Sequence, residues 1–231
     1  MFAYTIPPVI KRIKIDIGLS YNAPHSQIWL DHDADLFVFG FEPNPESVKC
    51  LQGNSIEKRE ANHGQPLSQK NKPRFHLFPF ALSNVEEPTE MDFYIMQKDC
   101  GTSSLHEPCD VTLGPIQNKV KVPVFSLAHF FQSFPNDRFP IIEYIKVDAQ
   151  GSDLDILKGA KHYLSEHVVF ITAEPESKQY KDCESNAEEH LAKFMKENGF
   201  FQIQHPNTSD PTFVNQRFLE EAKHIFIYQR G

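Results

Sequence analysis

Three acidic residues, each closing an apolar run, carry the most specific chemistry in the chain. In "IKIDIGLSYN", residues 13–22, apolar positions alternate up to Asp16 and Ile17, then Gly18 and a polar run follow. A glycine there permits a tight, left-handed turn and lets a ligand lie against bare main chain. Asn22, four residues on, also tolerates left-handed backbone. Glu42 closes a second run, "LFVFGF", and precedes Pro43 in "FEPNP". A carboxylate at the end of the second strand of an open parallel sheet is placed to accept hydrogen bonds from both hydroxyls of a ribose. Asp148 closes a third run, "IEYIKV", and stands where the ligand edge of such a sheet lies.

The number of glycines narrows the choice of ribose-bearing ligand. A dinucleotide fingerprint uses three, one of them so that the backbone reaches the pyrophosphate. This turn has Gly18 alone. S-adenosylmethionine carries a ribose and an adenine without phosphate, so it fits a one-glycine turn followed by an acid. A NAD-dependent oxidoreductase is the weaker alternative. Tyr94-x-x-x-Lys98 has the spacing of a reductase dyad, but it falls in a strand-like run and not on a helix.

The elements that must position these residues follow from pattern and size. The chain has 231 residues, 40% hydrophobic, with 20 Phe and one Trp, enough for one α/β domain over residues 1–231 with a substantial core. Strands are expected at Ile13–Ile17, Leu36–Phe41, Phe75–Leu82, Ile142–Val147, Val168–Ala173, Phe200–Gln204 and His224–Tyr228. "SDLDILKGAKHYL" sets Leu154, Leu157, Ala160 and Leu164 on one helix face. "NAEEHLAKFMKENG" opens with acids, closes with lysines and stops at Gly199, as the helix dipole and C-terminal capping favour. Residues 52–74 read as a frayed helix and an exposed loop. Residues 86–127, with "MDFYIM", "GTSSL" and "KVKVPVF", read as a small β insertion.

Charge and composition exclude other classes. A net charge of −8 and a pI near 5.7 work against a nucleic-acid surface, which needs clustered cations, and "KRIK" and "KNKPR" are too short to reverse that. No segment reaches the roughly 18 apolar residues of a membrane span, and "MFAYTIPPVIKR" lacks a signal-peptide core, so a cytoplasmic protein with no membrane partner is expected. Cys50, Cys100, Cys109 and Cys183 are scattered without a Cys-x-x-Cys pair and are read as free thiols. "DHDAD", residues 31–35, is read as a solvated run, and no metal is expected.

"IEYIKVDAQGSDLDILKGA", residues 142–160, is the most specific stretch. With "DIG", "FEPNP", "FPFALSN" and "GTSSL" in this order, the chain resembles the FkbM family of S-adenosylmethionine-dependent methyltransferases over roughly residues 13–175. The strongest matches are Lys146, Asp148, Gly151 and Leu157–Ala160. The family usually carries a small residue, Asn and a second Gly after the first Gly, where this chain has Leu19, Ser20 and Asn22. It also usually carries acids where Gln150 and Asp153 stand, so one carboxylate is absent here.

The resemblance implies a Rossmann-like class I methyltransferase fold: a seven-stranded, mostly parallel sheet with an antiparallel last strand. Carried over by position, the turn of Asp16, Gly18, Leu19 and Ser20 lies by the methionine part of S-adenosyl-L-methionine. Glu42 with Pro43 holds the ribose, Leu82 and Ser83 flank the adenine, and Asp148 faces the sulfonium and the acceptor. Asp148 is the first choice for a base toward an acceptor hydroxyl, with His25 or His106 second. Ser103 and Ser104 offer short hydroxyls to orient a polar acceptor, and Glu174 in "AEPES" is expected to line the same site. The expected activity is O-methylation of a small-molecule or sugar hydroxyl, and the rival is a catalytically silent cofactor-binding or interaction protein.

Overall fold

The computed structural model describes residues 2–53, 67–204 and 209–225. Its strands are β1 (Arg12–Ile17), β2 (Leu36–Phe41), β3 (Phe75–Phe78), β4 (Ala81–Leu82), β5 (Thr89–Met96), β6 (Ile116–Phe125), β7 (Ile142–Val147), β8 (Val168–Ala173), β9 (Phe200–Ile203) and β10 (Thr212–Asn215). Every residue of β2, β7 and β8 is buried, as a parallel strand covered on both faces requires. Seven strands form one sheet in the order β3-β2-β1-β7-β8-β10-β9. β3, β2, β1, β7 and β8 pair in parallel. β10 runs antiparallel to both β8 and β9, so the last strand is the antiparallel one.

That strand lies earlier in the chain than the sequence suggests. In place of a strand over His224–Tyr228, His224 sits in a turn and Ile225 is irregular, while residues 226–228 lie outside the described residues. "TFVN" takes the position, and all four of its residues are buried between β8 and β9. The run Phe75–Leu82 also divides. Pro79 has no N–H to donate to a ladder, and beyond it β4 leaves the main sheet to pair with β6 in a second sheet, ordered β4-β6-β5. This small sheet is the expected insertion. Its "GTSSL" segment is a 3-10 turn at Cys100–Thr102 followed by a single bridge from Ser104 to Tyr94. Of residues 52–74, 54–66 lie outside the described residues and Lys72–Arg74 form a 3-10 turn.

The helix expected over 152–164 is two helices, Asp153–Lys158 and Lys161–His167. They break at Gly159, where an added Cβ would stand 3.0 Å from the Ser83 carbonyl oxygen and 3.3 Å from Ser126. The apolar face survives the break, and Leu154, Leu157, Ala160 and Leu164 are all buried.

The two faces of the sheet differ in kind. Ile13, Ile15 and Ile17 point into a layer rich in phenylalanine, including Phe37, Phe39, Phe41, Phe78 and Phe130. Lys14 and Asp16, at the alternate positions, point toward the helix Pro24–His32, where the Lys14 ammonium lies 5.3 Å from the Trp29 ring centre and Asp16 meets Ser26. One face is therefore a hydrocarbon core, and the other carries buried charge up to the carboxyl edge.

Candidate functional site

The carboxyl ends of β1 and β7 almost touch. The Asp148 amide donates to the Ile17 carbonyl at 3.0 Å, and the Gly18 amide donates to the Phe41 carbonyl at 3.0 Å. Gly18 has φ +82, and a Cβ there would stand 1.9 Å from the Asp148 carbonyl oxygen. Glycine is thus required at this position by β7, a reason other than the ligand approach read from the sequence. The left-handed residues after it are Ser20 (φ +54) and Ala23 (φ +46), not Asn22.

A cleft enclosing about 640 Å³ of empty space, partly open to solvent, runs along this edge. Along it stand, in sheet order, Glu42 and Pro43 after β2, Gly18 and Ser20 after β1, and Asp148 and Gln150 after β7, while Phe41, Phe80, Ala81, Leu82 and Ile156 form an apolar wall. The insertion adds Phe93, Cys100, Ser103 and Leu105. Ser83 is held by its amide to the Phe125 carbonyl, 2.9 Å away, and does not line the cleft.

Glu42 is only 5% exposed. Its Oε2 accepts from the amides of Leu19 (3.1 Å) and Ser20 (2.8 Å), and its Oε1 accepts from the amide of Asn44 (2.8 Å). Burial pushes its pKa up to about 7, against these three donors, which favour the charged form. A carboxylate offers about four lone-pair sites. Three are taken, so Glu42 keeps one for a ligand hydroxyl, as an acceptor when ionised and as a donor when it carries its proton, and not the two expected. Leu19 contributes through its backbone, because its side chain packs with Ala23 and Leu51. Asp16 does not line the cleft. Its Oδ2 accepts from the amide (3.1 Å) and hydroxyl (2.6 Å) of Ser26, which ties it to the charged face of the sheet.

At the end of β7, Asp148 Oδ2 accepts from Lys146 Nζ at 2.9 Å and Oδ1 accepts from Gln150 Nε2 at 2.7 Å. Burial opposes its ionisation, but the Lys146 charge and these donors prevail and hold its pKa below the usual value. Lys146 stays charged despite burial because Asp148 and Asp16 face it. Glu174 does not itself line the cleft but stands beside Asp148, its Oε2 3.4 Å from the same Gln150 Nε2. Burial, then the Asp148 charge, lifts Glu174 to about 9. Glu176 is lifted to about 8 by burial and the charges of Asp153, Asp148 and Asp210. Asp153, fully buried, is lifted to about 7 by burial and Asp148, although the amides of Glu174 (3.0 Å) and Ala149 (3.2 Å) donate to it.

Other expected residues divide between this cluster and its support. His25 does not line the cleft and packs with its ring centre 6.0 Å from that of Trp29; burial and the Lys146 charge lower its pKa, while Asp16, Asp148 and Asp210 oppose that. His106 lies apart, with Nδ1 3.2 Å from the Lys181 carbonyl oxygen. Ser103 lines the cleft and its hydroxyl oxygen accepts from the Met96 amide at 3.1 Å, leaving its proton to donate. Ser104 is committed to structure, since its hydroxyl donates to the Gln150 carbonyl at 2.6 Å and accepts from the His106 amide at 2.9 Å. In "DHDAD", Asp31 pairs with Lys70 at 2.8 Å and Asp33 with Arg12 at 2.8 Å, and the four cysteines are free thiols.

Tyr180 and Glu176 are residues of this site that sequence reasoning passed over, and Gln150 entered it only as a position where the resembled family carries an acid. Gln150 has φ +50, and its Oε1 accepts from the Tyr180 hydroxyl at 2.9 Å. The same hydroxyl lies 2.9 Å from the Thr102 carbonyl oxygen in the insertion. The only sequence signal was the place of Gln150, two residues after Asp148.

Compared with family models, residues 26–201 match the methyltransferase FkbM domain. No curated protein matches the chain. Among solved structures the chain is similar to the fibrillarin pre-rRNA processing protein of Methanococcus jannaschii, with 10% identity over 92% of this chain and 70% of that one. The TM-score is 0.37, too low for any shared function to follow.

Proposed function

The chain belongs to the FkbM methyltransferase family, and from that premise we propose that it transfers the methyl group of S-adenosyl-L-methionine to a hydroxyl oxygen of a small molecule or sugar. The observation that carries this reading is the cleft that lines up Glu42, Gly18 and Asp148 along one carboxyl edge of the sheet. Its chemistry fits the cofactor. The apolar wall of Phe41, Phe80, Ala81 and Leu82 suits an adenine ring, the free lone pair of Glu42 suits a ribose hydroxyl, and the carboxylates suit a sulfonium. A pyrophosphate is a poor match, because the Leu19 and Ser20 amides that would cradle it already donate to Glu42.

When bound, the cofactor supplies a methyl carbon activated by its sulfonium. Most of the acceleration then comes from positioning the acceptor oxygen. Ser103 offers a hydroxyl proton to orient it, and Asp148 takes the proton that the acceptor O–H bond releases. A carboxylate held below its usual pKa is a weak base, and it suffices because the acceptor oxygen gains positive charge as it attacks and its O–H becomes strongly acidic.

Two measurements test the reading. At about 100 times its dissociation constant, S-adenosylhomocysteine stabilises the protein by roughly 2.7 kcal/mol, and NAD does nothing comparable. Stabilisation by NAD and not by S-adenosylhomocysteine overturns the cofactor assignment. Asp148→Asn lowers methyl transfer from labelled S-adenosylmethionine to a panel of sugars and hydroxylated small molecules by about 10²–10⁴, and equal turnover removes Asp148 from the role of base.

A further inference from the structure

We propose that Gln150 and Tyr180 are positioning residues that hold Asp148 and Glu174 as one proton-sharing pair, so that the pair, and not Asp148 alone, receives the acceptor's proton. The proposal rests on the reading of Asp148 as the acceptor-facing residue. It begins from the one amide that both carboxyls share: Gln150 Nε2 lies 2.7 Å from Asp148 Oδ1 and 3.4 Å from Glu174 Oε2, and two half-buried carboxyls held that close share a proton because like charges do not both ionise there. Lys146 occupies Asp148 Oδ2 at 2.9 Å, so Asp148 holds the charge and Glu174 the proton.

Gln150 sets the geometry of that pair. Its carbonyl oxygen is fixed by the Ser104 hydroxyl at 2.6 Å. Its side-chain Oε1 is fixed by the Tyr180 hydroxyl at 2.9 Å, which turns Nε2 toward Asp148 Oδ1 at 2.7 Å and Glu174 Oε2 at 3.4 Å. Left-handed backbone at Gln150 (φ +50) and Gly151 (φ +94) bends the chain to allow this. Tyr180 is itself buried, 2% exposed. The other groups facing the pair are acidic, Glu176, Asp210 and Asp153, with Lys146 as the cation and His25 beyond it. In the reaction the acceptor O–H bond breaks, its proton moves to Asp148, and the pair passes from one proton and one negative charge to two protons and none.

Carbon-13 NMR of the labelled carboxyls tests this without any acceptor. In the wild-type protein one carboxyl of the pair titrates far above the ordinary range and the other below it. Gln150→Glu replaces a donor with a third carboxylate and raises the Asp148 midpoint by about one pH unit or more. Tyr180→Phe frees the amide to rotate and moves the midpoint in the same direction by less, with the melting temperature reporting an intact fold. Once an acceptor is in hand, Tyr180→Phe shifts the acid limb of the kcat profile and leaves the acceptor KM nearly unchanged. Unchanged Asp148 and Glu174 midpoints in folded Tyr180→Phe overturn the proposal, as does a wild-type Glu174 that titrates near 4.3, its ordinary value. Full turnover in Asp148→Asn overturns the base assignment instead, and it leaves the titration result standing.

Discussion

Gly18→Ala separates the energy of the β1–β7 contact from the energy of an unusual backbone angle. A Cβ at residue 18 would lie 1.9 Å from the Asp148 carbonyl oxygen, whereas real Cβ atoms stay beyond 3.0 Å, so the two strand ends must part by about 1 Å. That movement breaks the 3.0 Å bond from the Asp148 amide to the Ile17 carbonyl. Left-handed φ in a residue with a side chain costs about 1–2 kcal/mol, the lost hydrogen bond about 1 kcal/mol, and the forced repacking about 1–3 kcal/mol. Together they amount to about 3–6 kcal/mol, a large share of the roughly 5–15 kcal/mol that holds a domain folded. Gly199 is the control. It has φ +84 and nothing within 4 Å of an added Cβ, so Gly199→Ala carries the backbone cost of about 1–2 kcal/mol alone. Urea unfolding followed by the fluorescence of Trp29, buried at 3% exposure, measures both. At roughly 2–4 °C per kcal/mol, Gly18→Ala melts about 10 °C lower than wild type or more, and Gly199→Ala only a few degrees lower. Equal midpoints for the two variants would show that the strand ends do not press together as described.

Glu42 and Asp153 are both fully buried with pKa values lifted to about 7, so each holds a proton when folded that it releases when unfolded. Their contribution is complete below pH 4 and is lost as the pH rises to about 7, on the order of 3 kcal/mol for Glu42 alone. The urea midpoint therefore falls between pH 5 and pH 8, and a midpoint that rises over this range contradicts the assignment. Glu42→Gln turns an amide NH₂ toward backbone N–H donors and leaves at least one of the Leu19, Ser20 and Asn44 amides unpaired, a loss of about 1–3 kcal/mol. It also flattens that pH dependence and weakens S-adenosylhomocysteine binding, both readable by calorimetry. Ser103→Ala raises the acceptor KM at constant cofactor affinity. Ser104→Ala lowers the melting temperature instead, because its hydroxyl anchors Gln150, and the opposite pattern exchanges their roles.

The sheet was legible wherever burial on both faces wrote a continuous apolar run. The bounds of β2, β7 and β8 coincide with those runs, and Glu42 and Asp148 stand at their carboxyl ends as the patterns implied. β10 was missed because "TFVN" is four residues long and follows Pro211. Its burial comes from β8 and β9, partners about 10 to 45 residues away along the chain, and not from any local period. The role of Gln150 was hidden for a similar reason. In the sequence it counts as a carboxylate lost beside Asp148. In the fold it is a donor between two carboxyls, and that function depends on Glu174 and Tyr180, 24 and 30 residues further on.

One signal of the acidic site was present in the sequence without being used. Lys14-x-Asp16 and Lys146-x-Asp148 both place charges inside runs that are otherwise apolar. In the sheet Asp16 is paired in register with Lys146, and Lys14 with Tyr144, so these charges share one face. Burying a charge costs several kcal/mol unless partners repay it, and a core built for stability alone is served better by hydrocarbon at such positions. Here the opposite face of the same strands is hydrocarbon at Ile13, Ile15, Ile17, Ile145 and Val147, so the sequence has the means to fill a layer with apolar side chains. Charge kept on one face therefore points to the chemistry at the carboxyl edge. Asp16 helps keep Lys146 protonated, Lys146 keeps Asp148 ionised, and Asp148 remains able to accept a proton where the cleft opens.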